Sequence, residues 1–223
     1  MKHILFYLLA IYILASCTQD NLPETSSYGT LSVSPININT EVETEAAKRE
    51  VDNRLQVDIL QGSTIIRTYE AGSEALNNPI VLPVGHYTLI AHSPDMNEAA
   101  NNVTGSATYS ISWDFQIEAD MVTTVDNLVA PQANIGISLQ YQDGLFSTAF
   151  SSVTCTLYSP STGRRVEITD INNKDFIYFN IPADGILQYS FNATNTDGEV
   201  FHSGIRNITA TEAKNYLLLI AFD

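Results

Sequence analysis

Residues 109–117 read YSISWDFQI, and this stretch decides the fold class because its apolar and polar residues alternate. Successive side chains of a β-strand point to opposite faces of a sheet, so a period of two predicts a strand with one buried face. NRLQVDI at 53–59 and VTCTL at 153–157 alternate in the same way. The sequence therefore predicts an all-β protein, and it places Trp113 in the buried row of its strand.

The same alternation recurs along most of the chain. TEVETEAAKRE at 40–50 has a helix-like composition but no apolar stripe, so a helix and a charged loop both remain open there. The predicted buried rows are Leu55, Val57 and Ile59; Tyr87, Leu89 and Ala91; Tyr109, Ile111, Trp113, Phe115 and Ile117; Ile135, Ile137, Leu139 and Tyr141; Val153, Cys155 and Leu157; Leu187, Tyr189 and Phe191; and Tyr216, Leu218, Ile220 and Phe222.

A weak internal repeat divides the chain into two parts, each of about 100 residues. IVLPVGHYTLIA at 80–91 has its counterpart in IYFNIPADGILQYSFNA at 177–193. Each stretch holds a proline followed closely by a glycine, which is typical of a turn between two strands. We predict two tandem β-sandwich domains of the transthyretin or immunoglobulin-like type, at residues 29–128 and 129–223.

Residues 1–16 have the parts of a secretory signal peptide: a basic start, an apolar run and the small pair Ala15-Ser16 before a cysteine. The apolar run is shorter than the roughly 20 residues that a membrane-spanning helix needs. LASC at 14–17 resembles the bacterial lipobox. That resemblance implies cleavage after Ser16, a diacylglyceryl thioether on Cys17 and a further acyl chain such as palmitate on the new amino terminus. Several acyl chains anchor a protein more firmly than one chain does.

Residues 17–28 have almost no apolar content, which predicts a flexible tether. Asp20 and Glu24 in this stretch partly match the acidic export signal of surface lipoproteins from Bacteroidetes. We therefore expect a protein anchored in the outer membrane through the lipid on Cys17. The cell surface is favoured over the periplasmic face.

The net charge of the chain argues against nucleic acid as a partner. The chain has 10 Lys and Arg against 25 Asp and Glu, a formal net charge of −15. Nucleic-acid binding relies on Lys and Arg to neutralise phosphates, so the sequence argues against it.

The cysteines predict no disulfide within the chain. With Cys17 lipidated, Cys155 is left without a partner. Because Cys155 shares a strand face with Val153 and Leu157, we interpret it as a small buried apolar side chain.

Residues with catalytic or metal-binding chemistry are sparse and scattered. His86 and His92 would lie about 20 Å apart on an extended strand, too far to share a metal. Asn195, Asp197 and Glu199 form a fragment of a calcium loop, but Asp197-Gly198 between two alternating stretches favours a hairpin turn. We expect no enzyme, no metal and no cofactor. The long polar stretch 92–106 predicts a loop at one end of the first domain, where binding sites of sandwiches are usually built.

Several short motifs together resemble a known group. They are GTLSVS at 29–34, LPVGHYTLIAHS at 82–93, FQIEADMVTTVDNL at 115–128, QANIGISLQY at 132–141 and DFIYFNIPADG at 175–185. They resemble two-domain lipoproteins of unknown function from gut Bacteroidales, often labelled cell-adhesion proteins. That resemblance implies a non-enzymatic surface lipoprotein that serves adhesion or binds an extracellular protein or glycan.

More distantly, the chain is similar to fimbrillins. That likeness implies cleavage after Arg49, removal of the first strand, TLSVSPINI at 30–38, and insertion of a strand from another subunit. A pilus or accessory subunit is therefore the alternative function. A glycan-binding module is a further alternative, because the chain holds 11 tyrosines and one tryptophan that could form a sugar-stacking platform.

Overall fold

The structure is a computed structural model, which describes residues 27–38, 55–142 and 146–221. Within these residues the fold is all-β, as predicted, with sixteen strands in five sheets. The predicted signal peptide, Cys17, the segment 40–50 with Arg49, and Phe222 lie outside the described residues. The described residues contain no helix that is both long and apolar enough to cross a membrane.

The strands fall into a first half, β1 to β9, and a second half, β10 to β16. The first half has β1 (Tyr28–Val33), β2 (Asn37–Ile38), β3 (Gln56–Gln61), β4 (Thr64–Tyr69), β5 (Ile80–Pro83), β6 (Gly85–His92), β7 (Ser110–Ile117), β8 (Val122–Val125) and β9 (Val129–Ala130), with a 3-10 helix at Glu74–Asn77. The second half has β10 (Ile135–Tyr141), β11 (Phe150–Tyr158), β12 (Arg165–Ile168), β13 (Ile177–Phe179), β14 (Ile186–Asn195), β15 (Val200–Thr209) and β16 (Asn215–Ile220), with the short helix α1 at Phe146–Ala149.

Both halves have the same strand order. The first half has sheets β5-β1-β8 and β4-β3-β6-β7, and the second has β13-β10-β16 and β12-β11-β14-β15. In each half the first strand lies at the centre of the three-stranded sheet, antiparallel to one neighbour and parallel to the other, which is β8 in the first half and β16 in the second. The internal repeat predicted from the sequence is therefore present in the topology. A small parallel pair, β2-β9, is added in the first half.

Each half has its own buried apolar cluster, and most predicted rows contribute to one of them. In the first, Leu31 of β1 packs with Val57, Ile59 and Leu89 of the larger sheet. In the second, Ile137 of β10 packs in the same cluster as residues of β11 and β14. Burial of apolar area stabilises each cluster by roughly 25 cal/mol for each Å² removed from water.

Trp113 corrects the prediction of a buried tryptophan, because its side chain is 49% exposed. Trp113 pairs with Leu89, which is fully buried, so the alternation assigned it to the correct face. The exposure arises because β7 is the edge strand of a four-stranded sheet, and the sheet that packs on it has only three strands. Phe115 and Ile117 on the same face are buried.

The short helix α1 was not predicted. Phe146 at its first position is 3% exposed, and its ring packs against Tyr141 at 4.7 Å and Phe191 at 5.6 Å between centroids. One aromatic anchor thus fixes a turn that is too short to show a helical period in the sequence.

Candidate functional site

The two residues predicted to be modified or processed, Cys17 and Arg49, lie outside the described residues. Cys155 is fully buried in the second cluster, and desolvation raises the pKa of its thiol to about 12. The thiol is therefore neutral and inert at physiological pH, so its prediction as a buried apolar side chain is confirmed.

The histidines at positions 86, 92 and 202 have different surroundings. His86 and His202 are exposed, whereas His92 is half-buried. His92 Nε2 lies 3.2 Å from Asp58 Oδ2, and His92 Nδ1 lies 2.8 Å from the carbonyl oxygen of Ser93. No group of three or more metal-ligating side chains occurs among the residues that the structure describes.

Asp58 is 8% exposed and is held by two neighbours. The hydroxyl of Thr68 donates to Asp58 Oδ1 at 2.6 Å, and His92 contacts the other oxygen. Desolvation by burial raises the pKa of Asp58, but the hydrogen bonds from Thr68 and His92 outweigh it and keep that pKa below its ordinary value.

The calcium-loop fragment is a hairpin turn between β14 and β15, as the dipeptide Asp197-Gly198 predicted. Asn195 Oδ1 accepts hydrogen bonds from the amides of Asp197 and Glu199, and the amide group of Asn195 donates to the Glu199 carboxylate at 2.8 Å. The side-chain oxygens of Asn195 and Glu199 therefore stabilise the hairpin turn.

Residues 93–109, between β6 and β7, form a clamp loop that joins the first half to the second. Its neck is closed by Ser93 and Tyr109, because the amide of Ser93 donates to the Tyr109 carbonyl and the amide of Tyr109 donates to the Ser93 hydroxyl, both at 2.9 Å. Its tip adds to the outer edge of β12, where Asn101 Oδ1 accepts from the Arg165 amide at 2.8 Å and Asn102 Oδ1 accepts from the Glu167 amide at 3.0 Å.

Arg164, just before β12, lies at the centre of this junction and is 3% exposed. Its guanidinium donates to the carbonyl oxygens of Val103 in the clamp loop and Tyr178 in β13, and it stacks 4.3 Å from the ring centroid of Phe179. Desolvation lowers the pKa of Arg164, and the nearby carboxylate of Glu98 opposes that shift. The loop expected to carry a binding site is thus occupied by contacts with the second half.

The outer surface of β12-β11-β14-β15 is the larger open sheet surface of the second half, and we call it the polar face. Paired residues form straight rows across it, such as Thr154, Asn192 and His202. The polar face comprises Ser152, Thr154, Thr156 and Tyr158 on β11, Arg165 and Glu167 on β12, Gln188, Ser190, Asn192 and Thr194 on β14, and Val200, His202, Ile205 and Asn207 on β15.

The polar face is nearly free of charge although the chain is strongly acidic. The four strands hold three charged residues, Arg165, Glu167 and Arg206. Arg165 and Glu167 form an ion pair at 2.7 Å on the clamped edge. Arg206 is opposite Tyr189, a residue that packs against the core, and so it belongs to the other face. Solvated surfaces commonly consist of about a quarter to a third charged residues, so this face is unusual.

The free edge of the polar face is β15, which carries two exposed apolar side chains beside His202 and Asn207. Val200 is 58% exposed and Ile205 is 71% exposed. A bulge next to Gly204, whose φ is 67°, interrupts the pairing with β14. The sheet is therefore covered by the clamp loop on one edge and open on the other.

The first half has a smaller candidate, an open depression of about 510 Å³ on the outer side of β6 and β7. His86, Thr88, Asp114 and Gln116 line it together with Gly62, and the Thr88 hydroxyl donates to Asp114 at 2.7 Å. This depression includes the carboxylate of Asp114, whereas the only charges on the described polar face are those of the Arg165–Glu167 ion pair at its clamped edge.

Comparison with solved structures finds similar folds at low identity. A "putative adhesin" from Bacteroides ovatus has 10% identity and a TM-score of 0.45, and the match covers 94% of this chain and 98% of that one. A "putative cell adhesion protein" from Bacteroides ovatus has 11% identity and a TM-score of 0.45, with 88% and 93% covered. A fimbrilin from Porphyromonas gingivalis has 9% identity and a TM-score of 0.42, with 83% and 81% covered.

These likenesses do not identify what the chain binds, and no curated protein matches the chain. A protein-family model matches residues 28–219, nearly all of the part that the structure describes. The chain therefore belongs to the family described as "Domain of unknown function (DUF4493)".

Proposed function

We propose that this protein is a non-enzymatic lipoprotein, anchored in the outer membrane through Cys17 and displayed at the cell surface for adhesion or extracellular ligand binding. One observation carries the proposal: LASC at 14–17 ends only ten residues before β1 begins at Tyr28. Acyl chains on Cys17 would thus hold the folded sheets close to the membrane. The neutral, buried thiol of Cys155 agrees with a role that involves no thiol chemistry.

The proposal includes two β-sandwich domains of the transthyretin or immunoglobulin-like type, which divide near residues 128 and 129. It is supported by the repeated strand order and by the two separate apolar clusters. The clamp loop would make the two domains a single rigid stalk, because it donates and accepts main-chain hydrogen bonds with β12 and β13.

Replacement of Cys17 tests the anchor. We expect Cys17→Ala to abolish incorporation of labelled palmitate and to move the protein from the membrane fraction to the soluble fraction. Cys155→Ala is the matched control, since it removes the other cysteine and leaves the lipobox intact. Retention of the Cys17→Ala protein in membranes would refute the anchor, and resistance to protease added to intact cells would refute surface display.

A fimbrillin-like subunit is the second candidate, and the position of β1 favours it. β1 is the central strand between β5 and β8, and it contributes Leu31 to the first cluster. Arg49 lies in the sequence between β2 and β3. A cut there would free β1 and β2 from the rest of the chain and open a groove that a strand of another subunit could fill.

An arginine-specific protease tests the second candidate. We expect a new amino terminus at Glu50 and a ladder of polymers on gels run without boiling, and Arg49→Ala should prevent both. Arg67 and Arg206 lie within strands and serve as internal controls for folded protein. Cleavage at other arginines alone, or cleavage without polymers, would exclude strand exchange.

A further inference from the structure

We propose that the polar face binds an uncharged glycan, which lies across β11, β14 and β15. This inference rests on the proposed surface display, and it adds the place on the molecule and the class of ligand. The face and its rows of residues are defined by the pairing of β11 with β14 and of β14 with β15.

The polar face presents uncharged groups that form hydrogen bonds. Thr154 and Ser190 carry hydroxyls, and Gln188, Asn192 and Asn207 carry amides. Each of these groups can both donate and accept hydrogen bonds without bearing a charge. Gln188 Nε2 donates to Asn207 Oδ1 at 3.1 Å, and Asn192 Oδ1 contacts His202 Nδ1, so each amide keeps part of its hydrogen-bonding capacity for a ligand. Sugars present hydroxyls with the same dual capacity, and a neutral glycan can therefore pair with the remaining donors and acceptors.

The charges of the chain and of the polar face disfavour a charged ligand. The chain has a net charge of −15, which repels anionic polymers, and a cationic partner would need carboxylates on the face. Glu167 is the one carboxylate within the four fully described strands, and it is already paired with Arg165 at 2.7 Å. An uncharged polar ligand is not repelled by the negative net charge and does not need carboxylates on the face.

The spacing of the strands and the apolar side chains on the polar face also suit an extended glycan. Adjacent strands are about 4.8 Å apart and alternate residues about 6.7 Å apart, so the rows form a regularly spaced array along which an extended chain can lie. Sugar rings also have apolar C–H surfaces. Val200 and Ile205 on the open edge and the ring of Tyr158 on β11 offer matching apolar contacts.

The test uses the full chain with its lipid, extracted in detergent, and affinity electrophoresis in gels that contain amylopectin, mannan or galactomannan, with polygalacturonate as the anionic comparison. We expect retardation in at least one neutral gel and none in polygalacturonate. Gln188→Ala with Ser190→Ala should weaken the apparent affinity by about tenfold or more, because two hydrogen bonds are lost. Thr64→Ala with Ser112→Ala is the matched control, because both residues are exposed strand residues of the first half that do not line the depression, and it should leave the affinity unchanged.

Three results would overturn the proposal. They are migration unaffected by every neutral polysaccharide, equal loss in both double variants, and stronger retardation by polygalacturonate. A dimer that Ile205→Lys dissociates, without retardation in any gel, would instead assign the face to a second copy. Failure here is distinguishable from failure of the proposed function, because palmitate labelling and surface protease digestion are measured separately on the same variants.

Discussion

The guanidinium of Arg164 in the second half donates a hydrogen bond to the carbonyl oxygen of Val103 in the clamp loop of the first half. The same side chain is 3% exposed, stacks on Phe179 and also donates to Tyr178. Its Nε is buried without a partner among the described residues. A buried guanidinium that bonds carbonyls from both halves couples their positions, since neither half can move away without leaving the charge unpaired.

Arg164→Met should therefore uncouple the two halves. We expect a loss of about 3 kcal/mol in the free energy of unfolding, because carbonyls that accepted charged hydrogen bonds lose their donors. Trp113, the one tryptophan of the chain, reports on the first half by fluorescence, whereas far-ultraviolet circular dichroism reports on both halves. The two signals should coincide during urea unfolding of the native protein and separate in the variant.

Arg165→Met is the matched control for Arg164→Met. Arg165 is exposed, and among the described residues its side chain bonds only to Glu167, so we expect a change below about 0.5 kcal/mol. Coincident transitions and an unchanged midpoint in Arg164→Met would show that Arg164 does not couple the halves.

Asn102 should be the most sensitive position at the tip of the clamp loop. It has a φ of 59°, its amide donates to the Arg165 carbonyl, and its side chain accepts from the Glu167 amide. Asn102→Ala loses the side-chain acceptor and adds strain in the left-handed region, so we expect a loss of about 2 kcal/mol.

Asn102→Gly separates the two causes, since glycine tolerates positive φ but also lacks the acceptor. It should recover about half of the loss, or roughly 1 kcal/mol, in thermal and urea unfolding. A glycine variant as weak as the alanine variant would show that strain is negligible at this position.

Trp113 and Phe115 lie on the same face of β7, yet we expect their substitution by alanine to lower the free energy of unfolding by different amounts. Phe115 is 8% exposed and Trp113 is 49% exposed. We expect Phe115→Ala to cost about 3–4 kcal/mol and Trp113→Ala to cost about 1 kcal/mol or less. Equal costs, measured by urea unfolding followed by circular dichroism, would mean that Trp113 packs more tightly than its exposure indicates.

These two residues also show what the sequence can and cannot predict. Alternation is a local property, so it identified the inner face of β7, where Ile117 is buried, and the inner face of β6, where Leu89 is buried. Whether a strand lies at an edge depends on pairing between distant segments, and no local pattern reports it. The exposure of Trp113 therefore could not be predicted.

Local sequence patterns also could not reveal the polar face or the buried Arg164. Uncharged polar residues such as Thr154 and Ser190 alternate with apolar ones in the sequence, so the composition of the polar face was visible there. The sequence did not reveal that their strands are neighbours. Arg164 was missed for another reason: arginine is rarely buried, and nothing in STGRRVEI at 161–168 distinguishes Arg164 from the exposed Arg165.

Cys155 should react with thiol reagents only after unfolding. The thiol is fully buried, and its pKa is raised to about 12. In the native state, therefore, a reagent cannot reach the thiol, and the thiol is not ionised to the reactive thiolate. In the Cys17→Ala protein we expect no labelling by 5,5′-dithiobis(2-nitrobenzoate) at pH 8 and one equivalent in denaturant. Rapid labelling of the native protein would contradict the burial.

Acid should weaken the first half through Asp58. The pKa of this carboxyl is lower in the folded chain than its ordinary value of 3.8, because hydrogen bonds from Thr68 and His92 outweigh desolvation. The folded state therefore binds the proton less tightly than the unfolded state. The resulting stability is present above pH 3.8 and is lost as the pH falls through the folded pKa.

Asp58→Asn tests this contribution, since asparagine resembles the protonated carboxyl in shape. We expect the native protein to exceed the variant in free energy of unfolding at pH 5–7, with the difference shrinking below about pH 4. Asp114→Asn is the control on the same outer face, where the carboxylate is exposed and accepts a hydrogen bond from Thr88. Urea unfolding between pH 2 and pH 7, followed by Trp113 fluorescence, measures the three proteins. A difference between native and Asp58→Asn protein that stayed constant down to pH 2 would show that the ionised carboxylate of Asp58 contributes nothing.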